Sequence, residues 1–221
     1  MKAVTSRDNP AFKSLAKLAT SAAERRRRGL SVIEGAHLLE ACFAAGHPVD
    51  SVYVARRAAG SDEVRALLAR AGDAPVVELA DALFEAVSGV ETPAGLLALA
   101  ATPAPRPVPA DASLCLLLED LQDPGNVGTL LRSAAAAGAG HVLLSRTCAF
   151  AFSPKVLRAG QGAHFALNIV EGADLGAFVA SFGGTSVALS GRAGASLYET
   201  DLRGPLAVLV GNEGAGLSPE L

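Results

Sequence analysis

Residues 113–146 read SLCLLLEDLQDPGNVGTLLRSAAAAGAGHVLLSR, and this stretch decides the fold. From Leu114 to Leu118 the chain is apolar without alternation, the pattern of a strand covered on both faces of a parallel sheet. EDLQDPGN follows as a loop rich in polar and turn-forming residues. An alanine-rich pattern over residues 127–137 then predicts a helix, stopped by Gly138 and Gly140, which suit a C-cap and a tight turn. HVLLS at 141–145 is the next strand. Strand, loop, helix and strand in this order form one unit of an α/β domain. Downstream the pattern continues with a helix around 154–158, a strand near 166–170, a helix at 175–182 and strands at 185–190 and 206–210. The last strand runs into GNEGAGLSPEL.

Upstream, residues 101–112 read ATPAPRPVPADA, with four prolines spaced two apart. Repeatedly fixed φ and missing backbone donors make this a linker. Before it, helical patterns at 9–24, 36–45, 62–71 and 80–87 alternate with β-rich runs at 30–34, 52–55, 75–78 and 95–100. The predicted organisation is a small α/β domain over residues 1–101, a proline-rich linker over 102–112 and a second α/β domain over 113–221.

Composition narrows the function classes. Of 221 residues, 50% are hydrophobic and 19% charged, so the chain has the material for packed cores. Aromatic residues make up 5% and tryptophan is absent, which argues against a surface of stacked aromatic platforms. The net charge is −3, yet residues 1–30 carry eight cations against two acids, a net +6. Cys42, Cys115 and Cys148 are odd in number and far apart, which fits a reducing compartment better than a disulfide or zinc framework. His37, His47, His141 and His164 show no ligand spacing, so no metal is expected. No apolar leader follows the N-terminus and no run approaches the ~18 residues of a membrane span, so a soluble, cytoplasmic protein is expected.

In an open parallel sheet, ligands bind beyond the carboxyl ends of the strands. Two loops stand there: EDLQDPGN at 119–126 and GNEGAGL at 211–217, each expected to open a helix. Asn126 reads as an N-cap, with Arg132 under two turns further along the same helix. A dinucleotide site needs G-x-G-x-x-G, and Pro124 and Asn126 stand where its first glycines belong. GNEGAG lacks the lysine of a triphosphate loop. Glu119, Asp120 and Asp123 suggest a metal-dependent hydrolase, but no second ligand cluster accompanies them.

The two loops resemble motifs of the SpoU (TrmH-like) RNA ribose 2′-O-methyltransferases of the knotted SPOUT class. The first motif is similar to D-P-x-N-x-G-x-x-x-R before an alanine-rich helix, here Asp123, Pro124, Asn126, Gly128, Arg132 and Gly138. The second resembles G-N-E-G-x-G-L, here Gly211, Asn212, Glu213, Gly214, Gly216 and Leu217. SPKVLRAGQGAHF at 153–165 resembles a middle segment, with Gly160 where the family carries a small hydroxyl residue. SRDNP near the start, IEG at 33–35 and ETPAGLLAL at 91–99 are similar to the substrate-binding domain often fused to these enzymes. The third motif, an S-L-N stretch opening a C-terminal helix, has no counterpart before Leu221, which implies a chain cut short of the knot segment.

What the resemblance implies is an S-adenosylmethionine-dependent enzyme acting on ribosomal RNA, with transfer RNA or a non-catalytic RNA-binding module as alternatives. Arg132, Asn126 and Glu213 are then the catalytic candidates, with Glu213 orienting Arg132 or meeting substrate. Gly211, Asn212, Gly214, Gly216 and Leu217 are the donor-binding candidates. Arg7, Arg25, Arg26, Arg27 and Arg28 become RNA contacts, with Arg56 and Arg57 adding a phosphate term. The resemblance further implies a trefoil-knotted domain and a homodimer.

Overall fold

The structure, a computed structural model, describes residues 1–221 except Arg192. Along the chain come β1 (Lys2–Val4), α1 (Pro10–Thr20), α2 (Ala22–Arg28), β2 (Leu30–Glu34), α3 (Ala36–Ala44), β3 (Val49–Ala55), α4 (Asp62–Ala69), β4 (Val76–Leu79), α5 (Asp81–Glu85) and β5 (Leu96–Ala101). Then follow β6 (Leu114–Leu118), α6 (Pro124–Ala136), β7 (His141–Leu144), α7 (Pro154–Gly160), β8 (Asn168–Glu171), α8 (Leu175–Ser181), β9 (Thr185–Leu189) and β10 (Leu206–Val210). Contacts group the chain into two compact units, residues 1–102 with 152–165, and residues 103–151 with 166–221. The middle segment around α7, assigned from sequence to the second domain, therefore packs with the first unit.

The first unit is built on a mixed sheet ordered β1-β4-β3-β5-β2, in which β5 runs antiparallel to both neighbours. Phe12, Leu15 and Leu18 recur at helical spacing on α1 and are buried with Leu79, Phe84, Leu97 and Leu99. Asn9 caps α1 and Pro10 fills its first turn, where a missing N–H costs nothing. The helix expected over 9–24 breaks at Ser21, which adopts extended backbone and accepts a hydrogen bond from Glu24 N as the cap of α2. β1 was not legible, since only three residues, led by exposed Lys2, pair with β4. From α7, Arg158 pairs with Glu34 at 3.2 Å, and the Glu34 carboxylate also accepts from Ser88 Oγ and from Gly89 N.

The second unit carries a wholly parallel sheet ordered β8-β7-β6-β10-β9. As the unbroken apolar runs require, β6 lies at its centre, with Cys115 and Leu117 fully buried and Leu143, Ala207 and Leu209 in the same core. The chain leaves β6 toward β7 and β8, then returns on the opposite side through β9 and β10. The strand order thus reverses between β6 and β10, and the crevice at their carboxyl ends is the place where such sheets bind ligands.

The proline-rich stretch is held down on this second unit. The buried Asn168 side chain accepts from Arg106 N at 2.8 Å and donates to Arg106 O at 2.9 Å, and it also donates to His141 Nδ1. Among the described residues no helix is long and apolar enough to cross a membrane.

Candidate functional site

Both motif loops lie at the reversal of strand order. Glu119 N donates to Val210 O and continues the β6–β10 pairing to the mouth of the crevice. Asp123, rather than Asn126, caps α6: its Oδ1 accepts from Asn126 N at 3.0 Å, and Pro124 fills the first turn. Relieved of capping, the Asn126 side chain points across to the other loop. Its Nδ2 donates to Glu213 Oε1 at 3.0 Å.

The expectation that the GNEGAG loop opens a helix is not met. Residues 211–217 instead form a tight turn closed by reciprocal backbone bonds between Asn212 and Gly216, both 2.9 Å. Gly216 sits at φ +78°, where a side chain would strain the backbone, and a Cβ on Gly211 would lie 2.3 Å from the Gly216 carbonyl carbon, so a side chain there clashes with the turn. Asn212 shapes the turn from within. Its Oδ1 accepts from Gly214 N and Ala215 N, and its Nδ2 donates to Asp120.

This turn presents Glu213 to the first loop. Besides Asn126, the carboxylate accepts from Asp123 N at 3.3 Å and Gln122 N at 3.5 Å. These bonds, led by the one from Asn126, hold the Glu213 carboxyl below its ordinary pKa and keep it ionised. Two hollows flank the pair. One of about 480 Å³ is lined by residues 188–191 and 210–217 and by Leu221. Another of about 330 Å³ is lined by Leu121, Asn126, Thr129, Leu130, Val210, Gly211 and Glu213.

Arg132 does not join the Asn126–Glu213 pair. Six residues along a helix turn a side chain through about 120° and advance it about 9 Å. Arg132 is exposed and makes no hydrogen bond or ion pair among the described residues. Glu213 therefore orients Asn126 and not Arg132.

The carboxylates weighed for a metal have other partners. Glu119 Oε2 accepts from Ser218 N, Asp120 from Gln122 Nε2 and Asn212 Nδ2, and Asp123 caps α6. Among the described residues no group of three or more His, Cys, Asp or Glu side chains is placed to hold a metal ion.

The basic N-terminal segment is less uniform than it reads. Arg25 turns inward, 5% exposed, and donates to Leu18 O at 2.6 Å and Ala19 O at 3.2 Å, closing the last turn of α1. Its role as an RNA contact is thereby corrected, because a buried guanidinium engaged by carbonyls does not meet phosphate. Arg27 forks onto Glu24 and Arg28 donates to Ser14 Oγ at 2.6 Å, and both, like Arg7 and Arg26, lie exposed. Arg56 pairs with Glu78, and Arg57 with Asp81 and Glu85, so their phosphate term is muted. Asp120, Gln122 and Ser145, which no motif singled out, emerge as residues that tie the loops together.

Comparison with known proteins bears on this arrangement. The profile of the SpoU rRNA Methylase family matches residues 113–221, and that of the MRM3-like substrate binding domain matches residues 9–98. The chain is 34% identical over 224 residues to the 23S rRNA (guanosine(2553)-2′-O)-methyltransferase RlmP of Bacillus subtilis (strain 168), covering 100% of this chain and 86% of that protein. A crystal structure of an RNA 2′-O ribose methyltransferase superposes with a TM-score of 0.82 at 32% identity, over 98% of this chain and 84% of the other. The SpoU methyltransferase AviRb from Streptomyces viridochromogenes, crystallised with AdoMet, gives a TM-score of 0.84 at 25% identity, over 96% and 84%.

Proposed function

Because the chain belongs to the SpoU rRNA methylase family, we propose that it transfers a methyl group from S-adenosylmethionine to a ribose 2′-hydroxyl of ribosomal RNA. The observation that carries this reading is the 3.0 Å bond from Asn126 to Glu213, which joins the two motif loops at the strand-order reversal. The 480 Å³ hollow beside it lies within the size range of cofactor pockets.

S-adenosylmethionine supplies a methyl group activated by its sulfonium, so the leaving group needs little help. The chain supplies position, which is worth several kcal/mol, up to about 7–11 in ideal cases. Gly211, Gly214, Gly216 and Leu217 line the hollow and would hold the adenosyl group. Asn212 serves them by shaping the turn. Glu213 fixes Asn126 Nδ2 and leaves the amide oxygen to accept from the ribose hydroxyl. Arg132 carries donors and no acceptor, which suits a phosphate clamp or a stabiliser of the developing alkoxide; as the O–CH3 bond forms, the C–S electron pair stays on sulfur and the hydroxyl proton passes to solvent water. Arg7, Arg26, Arg27 and Arg28 add phosphate contacts whose strength falls with salt. We further propose the family's trefoil knot for the second unit, a homodimer with its sites near the interface, and a cytoplasmic place of action like that of a bacterial ribosomal RNA enzyme.

The test is transfer of labelled methyl from S-adenosylmethionine to total cellular RNA, followed by alkaline hydrolysis. A methylated 2′-oxygen cannot attack its neighbouring phosphate, so the expected label sits in alkali-resistant dinucleotides from ribosomal RNA. The same label in transfer RNA overturns the substrate class. Label in mononucleotides means base methylation, and no label together with no donor binding leaves a non-catalytic RNA-binding module.

A further inference from the structure

At the carboxyl edge of the second sheet, Asp120 bonds to the loops after β7 and β10 and within its own loop. It follows β6 at φ +51°, a left-handed backbone that L-residues other than asparagine and aspartate avoid. Its N–H donates to Ser145 Oγ at 3.0 Å, just beyond β7. Its carbonyl and its Oδ2 both accept from Asn212 Nδ2, at 2.8 and 3.2 Å, just beyond β10. Its Oδ1 accepts from Gln122 Nε2 at 2.7 Å, within its own loop. On the other side, Asn212 Oδ1 is taken by Gly214 N and Ala215 N, which leaves the Asn212 amide with no group to offer a ligand.

We propose that Asp120 is a positioning residue for the methyl-donor loop, acting through Asn212 to hold residues 211–217 in the conformation that shapes the 480 Å³ hollow. The inference rests on the methyltransferase reading above and adds to it a residue outside both motifs. A left-handed backbone by itself would be better met by glycine, which adopts φ > 0 freely. Asp120 contributes what glycine lacks, a charged acceptor that satisfies Asn212 and Gln122 together, and charge-assisted bonds are the stronger kind. With the carboxylate gone, Asn212 Nδ2 keeps its bond to the Asp120 backbone carbonyl but loses its charged acceptor, and the side chain is held less firmly. The amides of Gly214 and Ala215 then lose their fixed acceptor, and the turn that presents Glu213 and lines the hollow loosens.

The experiment compares the full chain with Asp120→Gly, Asn212→Ala and the double variant. Measured for each are thermal midpoint, S-adenosylmethionine affinity by calorimetry, and amide exchange at Gly214 and Ala215. Asp120→Gly is expected to keep the midpoint, because the backbone strain is relieved, and to weaken donor binding about tenfold, with faster exchange at both amides. Asp120→Asn, which tolerates the same backbone and keeps one acceptor, is expected to recover part of the affinity. The double variant is expected to bind no more weakly than the worse single variant, since both act through one bond. Unchanged affinity and exchange in Asp120→Gly, or losses that multiply in the double variant, overturn the proposal. Failure of the unaltered chain to bind donor overturns the methyltransferase reading and the donor part of this inference with it, while the exchange rates still report on the latch itself.

Discussion

Asn126 and Glu213 lie 87 residues apart in sequence and meet at 3.0 Å, each freed for the other by its own loop. Asp123 takes over the cap of α6, and the Asn212–Gly216 turn lifts Glu213 toward it. Because hydrogen bonds, first that from Asn126, lower the Glu213 pKa, the carboxylate stabilises the fold when ionised. The sign follows from linkage: the contribution is whole above the unfolded value of about 4.3 and is lost as pH falls through the lower folded value. Glu213→Gln is expected to remove this acid-limb slope from a stability profile taken by chemical denaturation, so that the variant lies below the unaltered chain at neutral pH by the small amount an exposed site supports and meets it at the acid end. An acid limb identical in both proteins would show that Glu213 holds no favoured ionised state.

Arg132 stands apart from this pair, exposed on α6. Truncation of an exposed side chain off the core leaves stability within about 0.5 kcal/mol. Loss of an electrostatic stabiliser of transferring groups costs about 10²–10³-fold in kcat. Arg132→Ala is therefore expected to lose methyl transfer by that order while keeping its midpoint and its donor affinity. Single-turnover transfer to ribosomal RNA reads the rate and calorimetry reads the binding. Full turnover in the variant would remove Arg132 from its role.

Much of the second unit was legible because its signals are local. An unalternating run at Leu114–Leu118 admits few places other than the middle of a parallel sheet. The motif loops follow such runs directly, so their meeting at the strand ends was open to anticipation. What stayed hidden depends on distant partners. Four successive arginines look alike in sequence, and only the return of α2 against the end of α1 selects Arg25 for burial. Asp120 reads as one more acidic loop residue until its φ and its bond to Asn212, 92 residues away, are seen. The packing of α7 with the first unit depends on Glu34, 124 residues before Arg158.

The inward turn of Arg25 separates stability from RNA binding within one basic run. Its guanidinium donates to two carbonyls at the end of α1, and burial, more than neighbouring Arg26, lowers its pKa. Hydrogen bonds to charged groups contribute about 1.5–3 kcal/mol. Arg25→Ala is expected to lose stability of that size in urea unfolding, whereas Arg26→Ala, exposed on α2, is expected to lose less and to flatten the salt dependence of RNA binding. Equal stability in the two variants would contradict the capping role.

At the opposite edge of the second sheet, His141 Nδ1 accepts from Asn168 Nδ2 at 2.9 Å, which requires an unprotonated nitrogen. Burial first, and the Arg106 charge second, push the His141 pKa down. A histidine with a lowered folded value is protonated more readily in the unfolded chain. Stability therefore falls as pH drops below the unfolded value of about 6.5 and stops falling once the folded value is passed. The same Asn168 side chain holds both backbone groups of Arg106, so protonation of His141 strains the anchor of the proline-rich stretch. His141→Gln is expected to flatten the stability profile over this window. Asn168→Leu, which leaves those Arg106 groups without their side-chain partner, is expected to lower stability by about 1–3 kcal/mol at any pH. Unfolding followed by urea at several values between pH 5 and pH 8 reads both effects. An unaltered chain whose stability is flat across this range would show that His141 titrates alike in the folded and unfolded chain.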